Sequence, residues 1–291
     1  MQANLQNYIA QQISENQNID FTDTRFSIVY GGDINETGVL YNDDFEFFVK
    51  INQNKPVDFF EKEVHGLDTL RHAKHTLKIP TPYLHGTWDR YSFLVMEYLQ
   101  EDYQEHNVSE KLGIGLAELH QNIWDKFGLS ENNYLGSQPQ DNEPKSNWAE
   151  FYAERRLIPM SIRAMNNGYF SNTDMNKMEN LCEHLPQIFP NEAPALIHGD
   201  LWNGNYGCVV PKQPSIFDPA IYYGNREMDI AMTLLFGGFD AAFYDGYLNT
   251  FPLQKGWQSR VEICQLYPLL MHLNHFGRSY YPPIQKVLEP F

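Results

Sequence analysis

Apolar positions recur along this chain with two periods, and the switch between them divides it. Leu5, Tyr8, Ile9 and Ile13 fall three and four residues apart, which predicts an amphipathic helix over residues 4–17. Three short runs follow: Arg25-Phe26-Ser27-Ile28-Val29, Thr37-Gly38-Val39-Leu40-Tyr41 and Phe45-Glu46-Phe47-Phe48-Val49-Lys50-Ile51. Their β-branched and aromatic content, and the Gly-Gly-Asp and Asn-Asp-Asp turn signals between them, predict strands. Phe59, Phe60, Val64, Leu67 and Leu70 return to helical spacing, so a helix is expected from about 56 to 72. Pro80-Thr81-Pro82 breaks the chain before Tyr83-Leu84-His85 and a further strand, Tyr91-Ser92-Phe93-Leu94-Val95-Met96.

Beyond Glu97-Tyr98-Leu99 the helical period dominates. Helices are expected near 108–121, 148–167, 174–185, 228–236, 241–249 and 256–276. The stretch from 130 to 147, rich in Asn, Gln and Pro, reads as a connecting excursion. A strand-rich first third joined to a helical remainder predicts an α+β protein of two lobes. The expected division is an antiparallel-sheet N-lobe over residues 1–98 and a mainly helical C-lobe over 99–291, with the ligand in the cleft between them.

Composition narrows the class without deciding it. The 291 residues are 42% hydrophobic and 14% aromatic, enough for substantial cores and unlike a disordered chain. A formal charge of -16 weighs against a broad nucleic-acid or anionic-membrane surface, while leaving room for a local basic pocket around phosphates. Cys182, Cys208 and Cys264 are odd in number and lack paired ligand spacing, so buried thiols in a reducing compartment are expected. Met1-Gln2-Ala3-Asn4-Leu5 lacks a basic segment leading into an apolar core, and no apolar run reaches the ~20 residues that span a bilayer. The expectation is a cytoplasmic protein with a small-molecule partner, monomeric or, as the alternative, homodimeric.

The chemistry concentrates in Leu196-Ile197-His198-Gly199-Asp200-Leu201-Trp202-Asn203-Gly204-Asn205 and in Ser215-Ile216-Phe217-Asp218-Pro219. A lone Asp is usually a solvated residue or a cap. Asp200 is constrained on both sides: Gly199 relaxes the backbone, and Leu201-Trp202 can anchor the loop in an apolar core. Asn205, on the same loop, can offer its amide oxygen to Mg²⁺ while Asp200 accepts or orients a substrate proton. Asp218, at a strand end, is the best candidate for direct Mg²⁺ coordination, since hard oxygen ligands suit that ion beside a triphosphate. His198 reads as a loop-stabilising donor before it reads as a base. Two carboxylates and an amide are the polar equipment of phosphoryl transfer, and the residues point to a small-molecule kinase.

His198-Gly199-Asp200-Leu201-Trp202-Asn203-Gly204-Asn205 resembles the fructosamine-kinase, or ketosamine-3-kinase, family, within the protein-kinase-like group that includes aminoglycoside phosphotransferases and choline kinases. The likeness continues through the segment from Phe217-Asp218-Pro219-Ala220 to Arg226-Glu227-Met228-Asp229, and in Gly31-Gly32-Asp33-Ile34-Asn35 and Phe60-Glu61-Lys62-Glu63. Two positions depart from the family pattern: Asn203 stands where Gly is usual, and Asn225 where His is usual. The resemblance implies a two-lobed protein-kinase-like fold, ATP and Mg²⁺ as cofactors, and transfer to the C3 hydroxyl of a fructosamine or ribulosamine. It implies Asp200 as the base, Asn205 and Asp218 as metal ligands, and Asp229 as a brace for the catalytic loop.

For the nucleotide, Gly31 and Gly32 resemble the family's phosphate-covering turn, although by themselves they read as an ordinary hairpin. The resemblance pairs Lys50 with Glu63, with Glu61 as a competitor, and makes Glu97-Tyr98-Leu99 the hinge beside adenine. Trp202, Asn203, Tyr222, Tyr223, Arg226 and Glu227 flank the proposed base and metal segments, and are the candidate groups for polyol hydroxyls. The region Asn147-Trp148-Ala149-Glu150-Phe151-Tyr152 through Arg155-Arg156-Leu157 is assigned to packing and support. The competing readings are a kinase for an aminoglycoside, choline, homoserine or free sugar, and a nucleotide-binding pseudokinase without transfer activity.

Overall fold

A computed structural model describes residues 1–29, 35–102 and 108–291. The chain folds into two compact units that interleave in sequence. One comprises Met1–Ala73, Leu77–Val108 and Gly204–Pro219; the other comprises Lys74–Thr76, Ser109–Asn203 and Ala220–Phe291.

The first unit is built on a five-stranded antiparallel sheet. Helix α1 (Ala3–Gln17) precedes strands β1 (Arg25–Ile28), β2 (Glu36–Tyr41) and β3 (Glu46–Gln53); helix α2 (Phe59–His72) leads to β4 (Pro82–Trp88) and β5 (Tyr91–Glu97). The strand order is β1-β2-β3-β5-β4. Alternation in β3 decides which side chains meet which partners. Phe47, Val49 and Ile51 join Leu5, Ile9 and Ile13 of α1 in one hydrophobic cluster. Lys50 has the opposite parity and stands on the other face, opposite Thr37 of β2 and Leu94 of β5 in register. The six residues of β5 before Glu97 are all buried, so this strand reads as a continuous apolar run instead of an alternating one.

A hairpin of strands Tyr206–Val209 and Gln213–Ile216 completes the first unit. Backbone bonds hold it there: Lys78 N donates to the Pro214 carbonyl at 2.8 Å, Ile216 N to the Lys78 carbonyl at 3.1 Å, and Val210 N to the Gln100 carbonyl at 3.0 Å. A boundary at residues 98 and 99 therefore does not separate the units, because long-range strand pairing captures the segment carrying Asn205 and Asp218.

The second unit is mainly helical, with two small two-stranded sheets, Ala195–Ile197 with Tyr222–Gly224 and Asn133–Leu135 with Gln138–Gln140. The expected helix at 148–167 is one helical run, Trp148–Tyr152 and Ile158–Asn166, that divides only at an internal π-turn, Ala153–Leu157. The 256–276 segment also divides, into a 3₁₀ turn at Trp257–Arg260 and helices Val261–Cys264 and Leu266–Phe276. Helix Asn172–Ile188 starts at a reciprocal capping box between Ser171 and Asp174. Among the described residues, no helix is long and apolar enough to cross a membrane.

Candidate active site

Lys50 is the electrostatic centre of the first unit's site. It is 3% exposed, and its Nζ lies 2.6 Å from Glu63 Oε1 on α2 while also donating to Asp218 Oδ1. Burial favours the neutral amine, but the Asp218 and Glu63 carboxylates overcome it and raise the Lys50 pKa. Burial raises the Glu63 carboxyl, with Lys50 pulling it the other way. The sequence pairing of Lys50 with Glu63 describes the contact observed, and Glu61 does not compete for it in these contacts.

Asp218 sits in left-handed backbone, φ 58°, a conformation that Asp tolerates better than most residues. Phe217 N donates to the Asn205 carbonyl at 3.1 Å, so the two segments carrying Asn205 and Asp218 run side by side. Asn205 is buried and the Asp218 side chain is 43% exposed. Among the described residues, no group of three or more His, Cys, Asp and Glu could hold a metal. An amide and a carboxylate are too few ligands for a resident ion, but they suit Mg²⁺, which binds through one or two protein oxygens together with substrate phosphates.

In the second unit, the chain leaves strand Ala195–Ile197 and turns into His198-Gly199-Asp200. The buried Asp229 carboxylate grips that turn: Oδ2 accepts from His198 N at 2.7 Å and Oδ1 from Gly199 N at 2.9 Å. His120 Nε2 lies 3.1 Å from Asp229 Oδ2, and its Nδ1 lies 2.7 Å from the Tyr247 hydroxyl. A carboxylate only accepts, so Nε2 carries the proton. Burial disfavours the Asp229 charge, yet the bond and charge of His120, the charge of His198 and the Gly199 N–H bring its pKa below the usual carboxylate range. Gly199 is required here: φ is 83°, and a Cβ would stand 2.2 Å from the Ala220 carbonyl oxygen. Ala220 N in turn donates to the His198 carbonyl at 2.9 Å.

The substrate candidates fall into two groups. Trp202 is half-buried with its ring edge-on to Phe236, centroids 6.2 Å apart, and Asn203 is exposed with Nδ2 donating to the Phe236 carbonyl at 3.1 Å. Tyr223 is half-buried against Trp124. Tyr222, Arg226 and Glu227 are buried and committed elsewhere. The Tyr222 ring stacks under the Arg156 guanidinium. Arg226 donates twice to Glu192, at 2.8 and 3.1 Å, and to the carbonyls of Phe251 and Pro252. Glu227 accepts two bonds from Arg260, at 2.5 and 2.7 Å. These three side chains are engaged within the fold of the second unit. Asn225 is buried as well, its Oδ1 accepting the Glu227 N–H at the start of helix Glu227–Leu235.

Of the nucleotide candidates, Gly31 and Gly32 lie outside the described residues. The Glu97 carboxylate is occupied by Lys78 Nζ at 2.6 Å and by the Thr81 N–H and hydroxyl at 3.1 and 3.0 Å. Burial opposes its charge, but these bonds lower its pKa. Its own N–H donates to the Thr81 carbonyl. Tyr98 and Leu99 follow β5 half-buried.

Sequence reasoning missed a buried amide cluster. Asn133, Gln140 and Asn142 lie in the 130–147 excursion, which alternates no apolar residues and gave no signal of burial. Arg156, in the region assigned to packing and support, is fully buried, and its guanidinium lies 4.7, 4.4 and 5.2 Å from the ring centroids of Phe151, Tyr222 and Tyr267.

The model of the family described as fructosamine kinase matches residues 5–291. The chain is 37% identical over 285 residues to a probable ketoamine kinase of Synechocystis, across 97% of this chain and 95% of that one. Two solved structures, each a "Putative fructosamine-3-kinase", share its fold. The one from Haemophilus somnus has a TM-score of 0.88 at 28% identity, covering 97% of this chain and 96% of that one. The one from Thermobifida fusca has a TM-score of 0.86 at 31% identity, covering 97% and 98%.

Proposed function

The chain belongs to the fructosamine kinase family, and from that premise we infer that it catalyses ATP-dependent phosphorylation of a sugar hydroxyl on a ketoamine, a fructosamine or ribulosamine adduct. The observation that carries the reading is Lys50, a buried ammonium held by Glu63 and by Asp218, beside a second oxygen-bearing segment at Asn205. A cation fixed between two carboxylates is poised to neutralise nucleotide phosphates without reorganising.

Each residue then has a task. Lys50 supports the phosphates, and Glu63 keeps its ammonium in place. Asn205 and Asp218 would hold Mg²⁺, which when bound offsets charge on the transferring phosphoryl group. Gly31 and Gly32 cover the phosphates with backbone N–H groups, and the main chain of 97–99 reads the adenine edge. Asp200 accepts the proton of the acceptor hydroxyl and aligns it, a role in which placement counts for more than basicity. Trp202 offers a platform and Asn203 an amide to the sugar, with Tyr223, which follows the Asp218 segment, as a further candidate. Asp229 bonds the two N–H groups preceding Asp200, which supports its role as the brace of that loop.

An acceptor screen at fixed ATP and Mg²⁺ tests this reading. Fructosyl-glycine and ribulosyl-glycine should be phosphorylated at the C3 hydroxyl, located by NMR of the product, in preference to kanamycin, choline, homoserine and fructose. Turnover of one of the latter group instead would replace the substrate assignment. No transfer to any acceptor would favour a nucleotide-binding pseudokinase.

A further inference from the structure

Gln140 lies far in sequence from every residue assigned a task above, yet its buried amide bonds the segment that packs against the catalytic loop. The side chain is 1% exposed and has a partner on each side. Nε2 donates to Asn133 Oδ1 at 2.8 Å and to the Ala220 carbonyl at 3.2 Å, and Oε1 accepts from the Tyr267 hydroxyl at 3.0 Å. Ala220 is the residue whose N–H bonds the His198 carbonyl and whose own carbonyl oxygen occupies the space a Gly199 side chain would need. Its neighbour Ile221 is held from the same side, by Asn133 Nδ2 on its carbonyl at 2.8 Å. Burial raises the Tyr267 phenol pKa, the charge of Arg156 opposes it, and the charge of Asp200 adds to the rise.

We propose that Gln140 is a positioning residue for Asp200, setting the catalytic loop by tying Tyr267 to the Ala220 peptide packed against His198 and Gly199. Only an amide serves at this point. The site presents an O–H donor on one side and two oxygen acceptors on the other, so the residue must accept and donate at once. A glutamate of the same shape would keep the Tyr267 bond and turn acceptors toward the Ala220 carbonyl and Asn133 Oδ1. The penalty for those unmet groups would be relieved by shifting Ala220, and the Gly199 backbone that touches it would follow.

The proposal rests on Asp200 being the catalytic base, so the test includes that residue. The full chain is compared as wild type, Gln140→Glu, Asp200→Asn and the double variant, with fructosyl-glycine as acceptor. Near-UV circular dichroism verifies folding, and calorimetry measures affinity for Mg²⁺ with a non-hydrolysable ATP analogue. Gln140→Glu should lower kcat by about tenfold to a hundredfold with nucleotide affinity unchanged. In the Asp200→Asn background the same substitution should cost nothing further, because both act through one group. Purely structural support would instead give equal losses in both backgrounds, overturning the proposal. Folded Gln140→Glu with wild-type kcat would overturn it too, while an inactive Asp200→Asn left the base assignment standing. An Asp200→Asn protein with wild-type kcat would remove the base assignment and the proposal with it. Should Gln140→Glu fail to fold, Tyr267→Phe deletes only the hydroxyl anchoring Gln140; it should lower kcat several-fold, and wild-type kcat in that variant would refute the proposal.

Discussion

Asp229 shows how one buried carboxylate can be worth more than a surface ion pair. It is 1% exposed and accepts from two consecutive backbone N–H groups and from His120. Replacing it with Asn leaves one oxygen for donors that now use two, so an NH₂ group faces either the Gly199 N–H or the His198 N–H and His120. Urea unfolding of Asp229→Asn should therefore show a loss of about 3 kcal/mol near neutral pH. The sign with pH follows from the depressed pKa. The charged form is favoured by folding, so its contribution is fully present above the ordinary carboxyl value of about 3.9 and fades as pH falls through the lower folded value. The penalty of Asp229→Asn should shrink across that acid window. A penalty that stayed constant there would show that the carboxylate charge is not what stabilises the fold. His198 is fully buried, and its backbone N–H donates to this brace.

Among the elements, the π-turn Ala153–Leu157 carries a guanidinium that organises the core around it. Arg156 bonds the Asp141 carbonyl and, at 2.6 Å, Asn142 Oδ1, and it lies over the faces of three aromatic rings. Arg156→Lys keeps the charge but loses the planar stacking and the fork of donors. It should unfold at lower urea than wild type by about 2 kcal/mol or more, and equal stability would show that planarity is irrelevant there. The elements that sequence disclosed best were those with a repeating apolar pattern. Strands β2, β3 and β5 announced themselves by branched and aromatic residues, and α1 by Leu5, Ile9 and Ile13. The hairpin Asn133–Leu135 and Gln138–Gln140 stayed hidden because its buried positions include amides, satisfied by partners as distant as Ala220 and Tyr267. Helix Tyr281–Leu288 was concealed by Pro282 and Pro283, which read as breakers but sit in the first turn, where no N–H partner is needed.

Across the whole molecule, local pattern singled out the segments proposed as catalytic loop and metal segment, while chain topology assigned them to units. Residues 204–219 pack with the sheet-bearing unit because Lys78 and Gln100 pair with the hairpin, a fact carried by backbone atoms and invisible to composition. The same limit explains Arg226 and Glu227. As charged residues beside a motif they suggested ligand contacts, but their partners Glu192 and Arg260 lie more than thirty positions away. The pairing of Lys50 with Glu63 was legible through the family resemblance, whereas its bond to Asp218, which helps hold a buried charge, was not foreseen. The decisive measurement is steady-state phosphoryl transfer from ATP to fructosyl-glycine by wild type and by Asp218→Ala, both verified as folded. The account predicts turnover by the wild type with the phosphate at C3, and a loss of at least about a hundredfold in the variant. Undiminished turnover in folded Asp218→Ala would contradict it.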